Sequence, residues 1–209
     1  MVVLPLTPAA LVDRLAARVT SLDADRRWRV AVDGAPPTRP GELADALVGP
    51  LRAAGRPVVR ISAHDFQRPA SVRLEYGRED PDTLLDGWLD VATLTREVLG
   101  PLAPGGTGLY LPSHWDPVRD RSTRADRVQA LPGAILVLDG ALLLGLGLPL
   151  DLAIHLAVRP ATLARRTPDG DRWTLPAFAR YASEVEPERT ADIVVRVDDP
   201  KRPALLDGE

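Results

Sequence analysis

The sequence contains no cysteine, one lysine (Lys201), three histidines and few aromatic residues, which make up 4% of the chain. Without cysteine there is no disulfide framework, thiolate metal site or cysteine nucleophile. A single lysine leaves arginine to carry nearly all the positive charge. Together with abundant alanine and proline, this reads as the imprint of a GC-rich genome. The histidines stand far apart, at His64, His114 and His155, so no metal site is expected from them. Long apolar runs are also missing: residues 141–158, the most apolar region, are interrupted by Pro149, Asp151 and His155 and fall short of the roughly 20 residues of a membrane span. The opening MVVLPLTP has neither a basic start nor a sustained apolar core, so no secretory signal is expected. A net charge of -3 and a pI near 5.7 argue against a nucleic-acid binder. The expectation is a cytoplasmic protein with neither nucleic acid nor membrane as partner.

Hydrophobic residues at 45% and charged residues at 26% are ordinary globular values. A chain of 209 residues suffices for one domain that buries about 70% of its unfolded surface. Thr7-Pro8 starts a helix with a capping hydroxyl and a first-turn proline, and Leu11, Leu15, Val19 and Leu22 continue it. Residues 1–24 are read as this leading helix. Apolar runs at 30–33, 57–62, 134–139, 151–158 and 191–197 read as strands. Helices are expected over 42–54, over 81–99 with a break near Asp86-Gly87, over 160–166 and over 175–185. The apolar segment after Asp139 also reads as helical, residues 109–111 as a short strand or hairpin, residues 114–127 as a charged loop, and residues 200–209 as a loose tail. Strands alternating with helices predict a parallel sheet with right-handed crossovers.

Residues 29–46, RVAVDGAPPTRPGELADA, have the grammar of a phosphate-binding strand, loop and helix without its chemistry. In the P-loop pattern G-x-x-x-x-G-K-[ST], backbone N–H groups curl round phosphate, the lysine reaches it, and the hydroxyl holds magnesium. Aligned on Gly34, the second glycine is Arg39, the lysine is Pro40 and the hydroxyl is Gly41. Pro36, Pro37 and Pro40 remove three backbone donors as well. With Lys201 the only lysine, no shift of register restores the motif.

Several separated segments, in order, resemble the uridine kinase family of P-loop nucleoside kinases. They are VAVDG (30–34) with LADAL (43–47), HDFQRP (64–69), YGREDPD (76–82), AILVLDG (134–140), TLARR (162–166) and ADIVVRVDDP (191–200). The resemblance covers residues from about 27 to 200. It implies an α/β, three-layer α/β/α P-loop NTPase-like fold with a mostly parallel five-stranded sheet, a phosphate donor at the first loop and a nucleoside under a mobile cover. The family's second-strand loop resembles D-D-F-H-R, and its first aspartate accepts the hydroxyl proton. That position is His64 here, with Asp65, Phe66 and Arg68 kept.

The resemblance thus implies catalytic roles for His64, Asp65 and Asp139, the last near magnesium; a plain reading of Asp139 is a cap on the following turn. It implies nucleotide contacts at Gly34, Arg39, Gly41, Arg165 and Arg166, and substrate contacts at Arg68, Glu79, Trp115 and Asp116. The plain readings are a solvated helix end for Arg165 and Arg166, and a surface loop for Trp115-Asp116. His155, inside a strand, reads as a structural or edge histidine.

Three functions follow from these residues. Concurrent change at Arg39, Pro40, Gly41 and His64 points to a pseudoenzyme without ATP-dependent phosphoryl transfer, a binding or regulatory protein for a nucleoside or other small molecule, with homo-oligomers open. The alternative is an active nucleoside kinase, using ATP and Mg, with His64 as base and Asp139 near the metal. A third is new acid–base chemistry, should His64, Asp33, Asp65 and Asp139 cluster at one sheet edge.

Overall fold

The structure is a computed structural model and describes residues 2–207. Its first half contains β1 (Val2–Pro5), α1 (Pro8–Thr20), β2 (Trp28–Gly34), α2 (Pro40–Ala53), β3 (Val58–Ser62), α3 (Ala70–Arg73), α4 (Pro81–Asp86) and α5 (Val91–Leu94). Four two-residue strands follow: β4 (Leu109–Tyr110), β5 (Trp115–Asp116), β6 (Arg121–Ser122) and β7 (Val128–Gln129). The second half contains β8 (Ile135–Gly140), β9 (Leu152–Ala157), α6 (Pro160–Arg166), α7 (Leu175–Glu184), α8 (Pro187–Thr190), β10 (Ile193–Arg196) and β11 (Ala204–Asp207).

The main sheet runs β1-β11-β10-β9-β2-β8-β3. From β10 to β3 it is parallel, which gives the five parallel strands read from the apolar runs. Strands β2, β8 and β9 are almost wholly apolar because helices cover both faces of the sheet. On one face, Leu11, Leu15 and Val19 of α1 and Leu47 and Leu51 of α2 pack on Val30, Val32, Val137 and Ile154. On the other, Phe66, Leu94, Val98 and Leu99 pack on Ala31, Ile61, Leu136 and Leu138. Alternation along β2, with Val30 and Val32 one way and Ala31 the other, divides the two cores. Helix α1 begins where Thr7 accepts from Ala10 N at 3.2 Å, with Pro8 in its first turn.

Several expectations are corrected. The sheet has seven strands, because β11 pairs antiparallel with both β10 and β1. The segment read as a loose tail therefore forms a strand from Ala204, while Gly208 and Glu209 lie outside the described residues. The leading helix is preceded by β1. Residues 141–150 are not helical: Leu142, Gly145 and Gly147 all take positive φ, which no right-handed helix accommodates. The helical stretch over 81–99 breaks at Gly87 as expected, where the glycine N–H closes α4 onto Thr83 O at 2.8 Å. The charged loop at 114–127 contains the small β5–β6 hairpin.

Candidate functional site

The carboxyl ends of the parallel strands form the edge at which α/β proteins place their sites. At the end of β2 the chain passes Gly34, where a Cβ would stand 2.5 Å from Thr38 Oγ1 and 2.9 Å from Leu156 Cβ. Only glycine fits there. Pro36–Thr38 then form a single 3-10 turn, closed by Thr38 N to Ala35 O at 2.8 Å, Thr38 Oγ1 to the same oxygen at 2.7 Å and Arg39 N to Pro36 O at 3.0 Å. Arg39 takes φ 60° and ψ 55°, a left-handed conformation that a glycine adopts without strain, before Pro40 opens α2. Most of the loop's own amides are bonded within it or absent, while those of Gly41 and Glu42 at the start of α2 have no side-chain cap. Thr38 and Arg39 bond inside the turn, and Pro36, Pro37 and Pro40 have no N–H.

Asp139 ends the apolar run of β8, between Val32 of β2 and Ser62 of β3. Arg60 Nη1 lies 2.6 Å from its Oδ1, an ion-pair contact off the hydrogen-bonding direction, since Oδ1 is buried without a directed hydrogen bond. The same guanidinium reaches Asp45 Oδ1 at 2.8 Å, Ile61 O at 2.5 Å and Gly41 O at 3.5 Å. Arg60 thus stands against the acid that the resemblance places near magnesium. The second expected ligand is missing, because position 41 carries no hydroxyl. Among the described residues, no group of three or more His, Asp or Glu side chains is placed to hold a metal ion. The donor set does not fit Mg.

A cleft of about 1040 Å³ opens beside these residues. Gly34, Arg39, Gly41, His64, Asp139 and Arg166 of the expected site line it. His64 is exposed, in the 3-10 turn Ala63–Phe66, with only a 3.5 Å contact to Gln67 Nε2. Arg39 is exposed and loosely paired with Glu42 at 3.4 Å. Arg166 directs its guanidinium to the backbone, to Val197 O at 2.8 Å and Asp198 O at 2.5 Å. The remaining expected residues do not line the cleft. Asp65 sits behind His64, where burial raises its carboxyl above the ordinary value; Asp139 and Asp116 add to this, and His64 and Arg60 oppose it. Arg68 is fixed by backbone bonds, its N–H to Trp88 O and its carbonyl to Arg73 Nε. Glu79 and Arg165 are exposed. Trp115 donates to Asp120 at 3.1 Å, and Asp116 accepts from Val118 N and Arg119 N at 3.0 Å, the plain turn-forming role.

Sequence reasoning missed the cleft's other wall. Trp88, after α4, and Trp173, before α7, face each other with ring centroids 5.7 Å apart and planes at 45°. Leu84, Leu89, Leu142 and Phe178 continue this apolar surface. Their spacing in sequence carries no periodic signal; only the scarcity of aromatics marks the tryptophans.

Asp33 departs furthest from the expected cluster. It is fully buried, and it accepts from His155 Nδ1 at 2.7 Å, Tyr181 OH at 2.9 Å and Leu143 N at 2.9 Å. Its carboxylate is therefore unavailable to His64 and Asp139, and the four-residue acid–base cluster does not form. His155 is buried in a central strand, not at an edge. Burial, with Asp33 beside it, pushes the Tyr181 phenol far above its usual range, so it stays a donor.

No protein-family model and no curated protein matches the chain. Solved structures do. A possible uridine kinase from Bacillus stearothermophilus superposes with a TM-score of 0.71 at 19% identity, over 88% of this chain and 96% of that one. A candidate fructose transport system kinase from Silicibacter sp. TM1040 gives 0.57 at 23% identity, over 90% of each chain. The YGR205w protein gives 0.62 at 10% identity, over 97% and 100%. Likeness at these identities carries the fold alone: the protein has the α/β fold of a possible uridine kinase and of the other two solved structures.

Proposed function

We propose that this uridine kinase-like protein does not transfer phosphate, and that it uses the cleft to bind a small molecule with a planar apolar part, such as a nucleoside. The observation that carries the reading is Arg60 on Asp139 at 2.6 Å. Phosphoryl transfer depends on positioning and on neutralising charge at the phosphates. Here the acid that would bring a metal already has a fixed cation, and the loop that would hold the phosphates lacks the lysine and carries three prolines without an N–H. The Trp88 and Trp173 rings offer stacking surface that needs no phosphate. The structures of similar fold carry different names, a possible uridine kinase and a candidate fructose transport system kinase, so the fold leaves the ligand's polar part open.

Calorimetry with Mg·ATP and, separately, with uridine or cytidine tests this. The expected result is no saturable ATP heat at millimolar concentration and saturable binding in the nucleoside arm. Magnesium-dependent ATP binding together with transfer of labelled phosphate to a nucleoside overturns it.

A further inference from the structure

A second, smaller cavity of about 250 Å³ lies beside β9, lined by apolar Leu156, Val158, Leu163 and Phe178, with His155 and Tyr181 at its inner side. Strands β2 and β9 are neighbours whose crossovers leave in opposite directions, β2 toward β3 and β9 toward β10. That switch point is where open α/β sheets accommodate ligands.

The inner wall is chemically specific. A carboxylate buried completely in a core is costly unless fully hydrogen-bonded, and an apolar replacement would be cheaper. Asp33 is nevertheless present and takes three donors, one of them His155 Nδ1 at 2.7 Å. The carboxylate occupies Nδ1, which leaves Nε2 as the ring nitrogen turned away from Asp33. His155 is only 7% exposed, and Nε2 has no hydrogen-bond partner among the described residues. The imidazole is therefore a fixed ring, with one nitrogen unpartnered, on a residue that lines a mostly apolar cavity.

The rim adds a separate sign. Glu186 takes φ 49° and ψ 58°, a left-handed conformation unfavourable for a residue with a side chain and found preferentially at ligand sites. The rim charges are matched among themselves, Glu186 with Arg189 at 3.2 Å and Glu188 with Arg196 at 3.6 Å. The cavity thus presents no unbalanced charge to a ligand.

We propose that this cavity is a second binding site, which shares the Phe178 wall with the large cleft, for a compact, uncharged, mostly apolar molecule whose hydroxyl hydrogen-bonds with His155 Nε2. Its size lies just below the roughly 300 Å³ at which drug-sized pockets begin, which suits a single ring. The site is independent of whether the cleft transfers phosphate.

Phenol is the probe, with benzene as its counterpart lacking the hydroxyl. The full chain carries ¹⁵N-labelled histidine, and the His155 Nε2 resonance is followed through each titration. Phenol is expected to shift it saturably, with benzene binding about three- to tenfold more weakly, the range for one net hydrogen bond. Ala182→Trp, at an exposed rim position, obstructs the mouth without touching Asp33, His155 or Tyr181, and should abolish the response while thermal unfolding stays unchanged. No saturable shift with phenol, equal affinity for benzene, or a response that survives Ala182→Trp overturns the site.

Discussion

Arg60 lays its guanidinium against Asp139, Nη1 to Oδ1 at 2.6 Å, across the adjoining strands β3 and β8. The same side chain holds Asp45 of α2 at 2.8 Å, so one arginine both neutralises the cleft's acid and fastens the helix that a phosphate would face. The turn before α2 is closed by its own hydrogen bonds, and the carboxylate beside it is paired within the chain.

Asp65 is disfavoured as a charge. Burial raises its carboxyl above the ordinary value of 3.8. Folding therefore prefers the protonated form. The resulting penalty is absent below the unfolded value, grows as pH rises through it, and is complete above the folded value. Asp65→Asn cannot ionise, so it is expected to raise the melting temperature at pH 7 and to lose that advantage near pH 3. Thermal unfolding at the two pH values measures it, and an equal effect at both would remove the assigned cause.

Asp151 behaves in the opposite sense, at the far end of the sheet. Burial alone would raise its carboxyl, but hydrogen bonds from Arg29, at 2.8 Å from Nε and 2.9 Å from the backbone N–H, together with Arg26, hold it below 3.8. This stability is fully present above the unfolded value and is lost as pH falls through the lower, folded one. Asp151→Asn leaves the buried Arg29 without its counter-charge and should cost about 3 kcal/mol at pH 7. Urea unfolding should show that loss at neutral pH and little of it in acid, with ligand binding in the cleft unaltered.

Arg39 carries strain that its side chain does not repay. A left-handed residue with a Cβ costs about 1–2 kcal/mol, and an exposed ion pair such as Arg39–Glu42, at 3.4 Å, contributes close to nothing. Part of the gain from relieving the strain is offset by the greater freedom of an unfolded glycine. Arg39→Gly is therefore expected to stabilise the protein by up to about 1 kcal/mol in denaturant unfolding. A loss of similar size would show that the guanidinium is anchored more firmly than this geometry indicates.

The five parallel strands were legible because burial on both faces makes each a nearly unbroken apolar run, as in ILVLDG. The rewritten loop was legible too, since proline and missing lysine are local facts. Strand β11 was not: ALLD is four residues long, and its status depends on the neighbours β10 and β1. Arg60 looked like one polar residue in VVRIS, and its partner is 79 positions away. Asp33 read as the end of a loop-bearing strand, whereas its partners at 155 and 181 come together only when β9 and α7 close on it. Local chemistry showed what the loop had lost, and only the tertiary structure showed what replaced it.

The link between loop and acid can be tested by rebuilding the loop. Arg39→Gly, Pro40→Lys and Gly41→Ser together restore the residue types of a phosphate loop. A Cβ at position 41, however, would stand 3.2 Å from Asp139 Oδ2 and 3.9 Å from Arg60 Nη2. A serine there meets a carboxylate already paired with arginine, so its hydroxyl bonds within the chain and magnesium still faces a fixed positive charge. The triple variant is expected to bind Mg·ATP poorly. Adding Arg60→Met removes that charge, frees Asp139 and leaves the apolar stem in place to support packing. The fourth substitution should tighten Mg·ATP binding on the order of tenfold to a hundredfold, the range for a hydrogen bond to a charged group. Calorimetry with and without magnesium separates the outcomes: if the triple variant binds as tightly as the quadruple one, Arg60 does not limit the affinity, and the loop residues alone set it.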